Sequence, residues 1–376
     1  MDIINTFNRK YHGQSDFRKA VISRFNSEGI SVRQCGNVYN ISSDVNTFIP
    51  RGNWRSLGNM VLEISDSKIT PIAVGAPPVY PANNLSEIAK ALEKNKYDVY
   101  PITFGTVIYM YYYGGRWMMG SRRSADVKDL TWRDKSFGEA YHEAADKYEN
   151  FSTLDMDIKR TYSFVLYHRD VHLYGLPDEA SKLVYICSRD NSTGEIRYND
   201  KMQCDIQHPI KDITPSDMFD NMSNSIDVEL SKRVMGYVLR EKHSGTTNEP
   251  HVVIKSAAYI TLDNMIGQGS SFNDVVIDVH LSNVSAIKDF KALFPDRMEL
   301  LKLVDEKYDN IIDHIADEDE IDPTYVKLRA RILTTGAFLL KGNTPRKIVK
   351  DILKDKSNTD VNAQVRSIIR KQLKAS

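Results

Sequence analysis

Apolar and polar positions along the chain switch from helical to alternating spacing and back again. Phe17, Val21, Ile22 and Phe25 recur at helical spacing, and Ile30 to Phe48 alternates with Ser and Asn breaks, as strands do. Leu57 to Glu63 and Ile69 to Val74 flank the polar turn Ser65-Asp66-Ser67, which predicts a hairpin. Leu85 to Leu92 predicts a short helix started by Asn84. The densest strand signal follows. Val107 to Tyr113 is β-branched and aromatic, Gly114-Gly115 tolerates positive φ, and Arg116 to Met119 runs back to the basic pair Arg122-Arg123.

Ser136 to Glu139 leads into a helix with Ala140, Tyr141, Ala144, Ala145 and Tyr148 on its inner side. Thr161 to His168 predicts a strand, and Val184 to Ser188 and Glu195 to Tyr198 flank the turn Asp190 to Gly194. Val234 to Arg240 and His251 to Tyr259 form another pair. From about Asn283 the spacing is helical: Leu300, Leu301, Val304, Tyr308, Ile311, Ile312 and Ile315, then Val361, Val365, Ile368, Ile369 and Leu373. Thr344-Pro345 reads as a helix start. The fold class this predicts is α+β, with antiparallel sheets over residues 1–282 and a helical domain over 283–376.

Composition narrows the function classes. The 376 residues are 41% hydrophobic and 27% charged with formal net charge zero, so any nucleic-acid surface must be local. Cys35, Cys187 and Cys204 form no C-x-x-C pair, which argues against a disulfide framework or a zinc site and suits a reducing compartment. No apolar run reaches membrane-spanning length and the start has no apolar signal core, so a cytoplasmic protein, or one at home in something assembled in the cytosol, is expected. The run Asp317 to Glu320 lacks the spaced oxygens and glycine turn of a cation loop.

Gly105-Thr106, the strand, the glycine turn, Trp117 and Ser121-Arg122 resemble the nucleotide-binding hairpin of the covalent nucleotidyltransferases, the superfamily of RNA ligases, DNA ligases and capping enzymes. Tyr162-Ser163-Phe164 followed by His168 resembles the third motif as written in ligase-like proteins of large DNA viruses. Gly236, and Lys255, Ser256 and Tyr259, match the fourth and fifth motifs. The resemblance covers about Leu57 to Tyr259, with Leu57 itself standing where an arginine is common. It implies a nucleotidyltransferase fold of antiparallel sheets flanking a cleft, with a helical appendage that contributes substrate specificity.

The chemical letters differ. The resemblance places a nucleophilic lysine at Ile102, carboxylates at Phe104 and Met235, and a first motif-five lysine at Val253. Isoleucine has no lone pair to attack a phosphate, and Phe and Met offer no hard oxygen to a divalent metal. No cofactor is therefore expected. Lys94 and Lys96 lie nearby in sequence but precede the strand. Arg122, Arg123 and Lys255 are the candidates for phosphate or nucleic-acid contact, because guanidinium forks match phosphate, although each also reads as a solvated charge. Tyr111 to Tyr113 fit either base stacking or core packing, and the basic C-terminal helices fit either nucleic acid or a solvated face. His168 and His172 read as strand-end histidines.

The expected function is a ligase-like pseudoenzyme, not an enzyme, that scaffolds other proteins of a larger assembly such as a virion. The alternatives are a binding protein for RNA or nucleotide, and an active RNA ligase with a displaced lysine.

Overall fold

A computed structural model of the chain describes residues 2–13, 15–43, 58–82, 85–94, 96–103, 105–132, 135–149, 151–168, 181–198, 200–211, 213–223, 236–242 and 251–256, then 259–260, 272–281, 287–288, 290–291, 294, 297–316, 323, 325–336, 346, 349, 352–353 and 359–375. Contacts divide the chain into two compact units, one of Met1–Ser223 with Val234–Ser256, the other of Asn224–Arg233 with Ala257–Ser376. Leu57, Asn84, Phe104, His172, Met235, Asp317 to Glu320 and Thr344-Pro345 lie outside the described residues.

The first unit is built from three main sheets. Strands β1 (Ile30–Cys35), β2 (Val38–Ser43), β3 (Met60–Ile64) and β4 (Ile69–Val74) form an antiparallel meander. Side chains alternate across it. Ile30, Ile41, Leu62 and Ile69 meet Phe7, Val21 and Phe25 from helices α1 (Asp2–Lys10) and α2 (Phe17–Ser27), while Val38, Val61 and Ala73 face Tyr109 and Tyr111 of the next sheet.

Strands β5 (Val79–Pro81) and β6 (Tyr97–Pro101), joined by α3 (Leu85–Glu93), lead into the central hairpin β7 (Thr106–Tyr113) and β8 (Arg116–Ser121). Gly114 and Gly115 take φ of 61° and 83°, the left-handed pair that a two-residue hairpin turn needs. A small pair, β9 (Thr131–Trp132) and β10 (Lys135–Ser136), precedes α4 (Phe137–Ala145), whose start is a reciprocal cap between Ser136 and Glu139. The second sheet continues through β11 (Arg160–Tyr167), β12 (Lys182–Asp190), β13 (Ile196–Arg197) and β14 (Asp205–Ile206), in the order β13-β12-β11-β7-β8 with β14 parallel to β12. Helix α4 covers one of its faces, with Ala140, Tyr141 and Ala144 packed on Tyr162, Phe164 and Leu183.

After α5 (Pro215–Ser223), β15 (Gly236–Glu241) and β16 (His251–Lys255) close the third sheet, in the order β5-β16-β15-β6. Tyr237, Leu239, Val99 and Ile254 pack under Ile88 of α3 and Met218 of α5. Gly236, Val238, Arg240, His251, Val253 and Lys255 fall on the opposite face. In the second unit, α6 (Phe272–His280), α7 (Met298–Ala316), α8 (Val326–Gly336) and α9 (Thr359–Ala375) follow. The α7 stripe Leu301, Val304, Tyr308, Ile311, Ile312 and Ile315 is buried, and Arg366 and Arg370 of α9 pair with Asp278 and Asp274 of α6.

The first two sheets are tied together over Gly120. Its missing side chain leaves room for the Tyr109 ring; a Cβ there would lie 2.3 Å from that ring. Overfilling a buried contact costs about 1–3 kcal/mol. Gly120→Ala is expected to lower the unfolding free energy by about that much, read from the midpoint of urea denaturation, and an unchanged midpoint contradicts the packing account.

Candidate functional site

Three strand ends meet in one row across the third sheet. Lys255 pairs with Gly236 in the β15–β16 register, and the Ile102 amide donates to the Gly236 carbonyl at 2.9 Å. Ile102, read from sequence as the nucleophile position, therefore lies two strands from Lys255 at the same level. Lys255 shares its sheet face with Val253, by the alternation that buries Ile254 on the other side.

Gly236 is required here. Its φ is +138°, and a Cβ would meet the Ile254 carbonyl oxygen at 2.3 Å and Ile102 Cδ1 at 2.8 Å. Gly105 repeats this on the second sheet, with φ +137° and the Leu166 carbonyl 2.5 Å from a Cβ position. Both glycines matched by motif thus have a packing reason for their identity.

Arg122 and Arg123 sit in a pinned turn rather than a free loop. Ser121 and Ser124 exchange backbone hydrogen bonds across it. The Asn40 amide donates to the Arg122 carbonyl at 3.0 Å, and Arg33 of β1 donates to the Arg123 carbonyl at 3.3 Å. Asn40 is itself held by the buried Tyr109 hydroxyl, which lies 2.8 Å from Asn40 Oδ1 and 3.0 Å from the Ser121 carbonyl. Burial pushes the Tyr109 phenol well above its ordinary value, which keeps the donor proton in place. A third arginine, Arg33, therefore joins the pair, and sequence reasoning missed it because nothing local links residue 33 to residue 123.

Other candidates separate from this region. His168 is buried and bonds Glu143 of α4 at 2.8 Å, so it ties β11 to its covering helix. Lys94 and Lys96 close α3, where the Lys94 and Lys96 amides bond the Lys90 and Ala91 carbonyls. Tyr111 is buried and donates to the Ala125 carbonyl at 2.8 Å, whereas Tyr112 packs edge-on against Trp117. That is core packing. Where the resemblance assigns metal-binding carboxylates the chain has Phe104 and Met235, whose side chains carry no oxygen to offer a divalent metal.

A second group lies at the other end of the same sheet face. Gln207 donates to the Pro101 carbonyl at 2.8 Å and to Thr103 Oγ1 at 3.2 Å, and its own carbonyl accepts from Arg240. Arg240 lies 3.9 Å over the Tyr100 ring and 5.0 Å from that of Tyr198. Tyr198 meets His251 Nε2 at 3.0 Å. Only phase in the strand marked Arg240: it falls on an inward position of β15, between apolar neighbours.

No known family profile matches the chain. It is similar to a protein of Autographa californica nuclear polyhedrosis virus named "Putative bifunctional polynucleotide kinase/RNA ligase", 24% identical over 217 residues, which cover 56% of this chain and 29% of that protein. The match thus spans less than a third of that relative's length. Among solved structures it is similar to two forms of an archaeal ATP-dependent RNA ligase. Form 1 has a TM-score of 0.45 at 12% identity, covering 76% of this chain and 79% of that one. Form 2 has a TM-score of 0.44 at 12% identity, covering 84% and 86%.

The resemblance to the RNA ligase-like nucleotidyltransferases agrees with the sequence relative, and the expected α+β fold of antiparallel sheets is the one described above. The expectation that the chain is not an enzyme is corrected by the sequence relative, which is named as a polynucleotide kinase/RNA ligase. That expectation rested on single positions such as Ile102, whose letters say what those positions cannot do and not what the whole chain does. Among the described residues no helix is long and apolar enough to cross a membrane.

His251 supplies a pH test of the inward face. Burial, followed by the fields of Arg240 and Arg189, holds it down to about 3 from its ordinary 6.5. Below pH 6.5 the unfolded chain gains a proton here that the folded chain does not take until about pH 3. Stability from this group is therefore full above 6.5 and is lost as pH falls through that window. Urea unfolding of His251→Gln is expected to show a shallower loss of stability between about pH 7 and pH 4 than the parent. Parallel pH profiles contradict a buried neutral imidazole.

Proposed function

We propose that this chain is an RNA ligase-like protein that holds the phosphates of a nucleotide or of RNA along the row of Ile102, Gly236 and Lys255, with the turn of Arg122 and Arg123 as a second contact. The observation that carries the reading is the pairing of Lys255 with Gly236 next to Ile102, which sets a cation where the resemblance puts the phosphates of the nucleotide. The pinned turn supports it, since a backbone held at the Arg122 and Arg123 carbonyls has less freedom to lose when the side chains bind an anion. The viral source of the sequence relative supports a viral setting.

A second reading is favoured by the same row and by the ligase named among the relatives. In it the Lys255 amine, after losing its proton to solvent, attacks the α-phosphorus of ATP. A phosphoramidate N–P bond forms, the bond to the leaving pyrophosphate breaks, and the nucleotide is then passed to an RNA end.

One pair of measurements separates the two. Binding of labelled single-stranded RNA and of ATP is titrated at several salt concentrations, and the protein is incubated with ATP and Mg²⁺ and weighed intact. Saturable binding that weakens steeply with salt, by a slope of roughly 0.7 per phosphate contacted, and that is reduced in Lys255→Ala and in Arg122→Ala/Arg123→Ala, supports phosphate recognition. A mass gain of one nucleoside monophosphate, absent in Lys255→Ala, establishes transfer. Neither binding nor adduct in the folded protein overturns both readings.

A further inference from the structure

Chemistry alone fixes the direction of one hydrogen-bond chain beside the third sheet. A guanidinium only donates and a backbone carbonyl only accepts, so a carboxamide bonded to both has a single orientation. Gln207 is such a carboxamide. Its carbonyl accepts from Arg240, and its amide nitrogen donates to the Pro101 carbonyl at 2.8 Å. The same nitrogen lies 3.2 Å from Thr103 Oγ1. An amide nitrogen does not accept, so the Thr103 hydroxyl is the acceptor in this bond and its one proton turns away from Gln207.

The chain is pinned at both ends. Gln207 directly follows β14, which pairs with β12 of the second sheet, and a little further on the Ile210 amide donates to the Val99 carbonyl of β6 at 2.7 Å. Arg240 is buried, 3.9 Å over the Tyr100 ring. Thr103 is half-buried, and among the described residues its hydroxyl donates to no protein group. It directly follows Ile102, whose amide bonds the Gly236 carbonyl at 2.9 Å, and Gly236 is the register partner of Lys255. A hydroxyl with its proton left to give therefore stands next to the Lys255 row.

We propose that Thr103 is a further ligand-contacting residue of that row, and that Gln207 is its positioning residue. The Thr103 hydroxyl donates to a non-bridging phosphoryl oxygen, in a direction set by Gln207 and, behind it, by Arg240. This inference rests on the phosphate row proposed above and adds to it an uncharged donor. A phosphoryl oxygen is charged and only accepts, which makes it the complement of such a donor. The phosphate belongs to a nucleotide or to an RNA backbone.

The test is the affinity of the full chain for ATP and for labelled single-stranded RNA, measured at several salt concentrations in the parent, Lys255→Ala, Thr103→Val and Thr103→Ser. Thr103→Val keeps the side-chain shape and removes the proton, so binding is expected to weaken roughly tenfold. The salt slope is expected to stay that of the parent, because no charge is lost, whereas Lys255→Ala lowers it. Thr103→Ser, which keeps the hydroxyl, is expected to bind like the parent. A loss confined to ATP assigns the contact to the nucleotide, and one confined to RNA assigns it to the RNA backbone. Gln207→Glu exchanges the amide nitrogen for an oxygen, so Thr103 donates inward. Binding is expected to weaken by a similar factor, with no further loss when Thr103→Val is added. If Thr103→Val does not fold, Thr103→Ala takes its place, and if Gln207→Glu does not fold, the Thr103 variants decide. Salt-dependent binding that Lys255→Ala weakens and Thr103→Val leaves unchanged overturns the Thr103 contact while the row stands. An equal loss in Thr103→Ser overturns it as well, and additive losses in the double variant overturn the role of Gln207. No binding by the folded parent overturns the row and the Thr103 contact together.

Discussion

The hydroxyl of Tyr109 is the point on which the first unit turns. It sits on the central hairpin, reaches across Gly120, and meets Asn40 of the neighbouring meander. Buried polar groups must find partners, and here each partner satisfies the next: the phenol is paired with Asn40 Oδ1, and the Asn40 amide pairs the Arg122 carbonyl. The apolar contacts of Val38, Val61, Ala73 and Tyr111 hold the two sheets together without fixing how they slide. The hydrogen bonds fix it. The position of the basic turn is therefore a consequence of core packing between sheets distant in sequence.

The inward face of the third sheet follows a different logic. Its outer face is an ordinary apolar layer under two helices. Its inner face carries Arg240, His251 and Lys255 at alternate positions along two strands, so one period-two pattern yields both a dry side and a charged side. Gln207 couples the two ends of that face, since one amide holds Pro101 and Thr103 beside the Ile102 row and also accepts from Arg240.

The elements themselves were legible from the chain. The Gly114-Gly115 turn, the alternating strands on either side of it, and the α7 stripe from Leu301 to Ile315 all appear where periodicity puts them. Each depends on neighbours in sequence, which is what a pattern can carry. The sequence also carried the resemblance to ligases. The expectation that the chain is not an enzyme rested on the letters at Ile102 and Val253, which record one position at a time.

By itself, then, the sequence determined the hairpins, the amphipathic helices, and the glycines whose backbone conformations no other residue adopts easily. Tertiary structure decided which cations gather and which are neutralised. Arg33 met Arg123 across a separation of 90 residues, and Arg189 met Gly75 across 114. Such meetings depend on how sheets stack and on the desolvation that stacking imposes. Neither quantity is a property of a local window of residues.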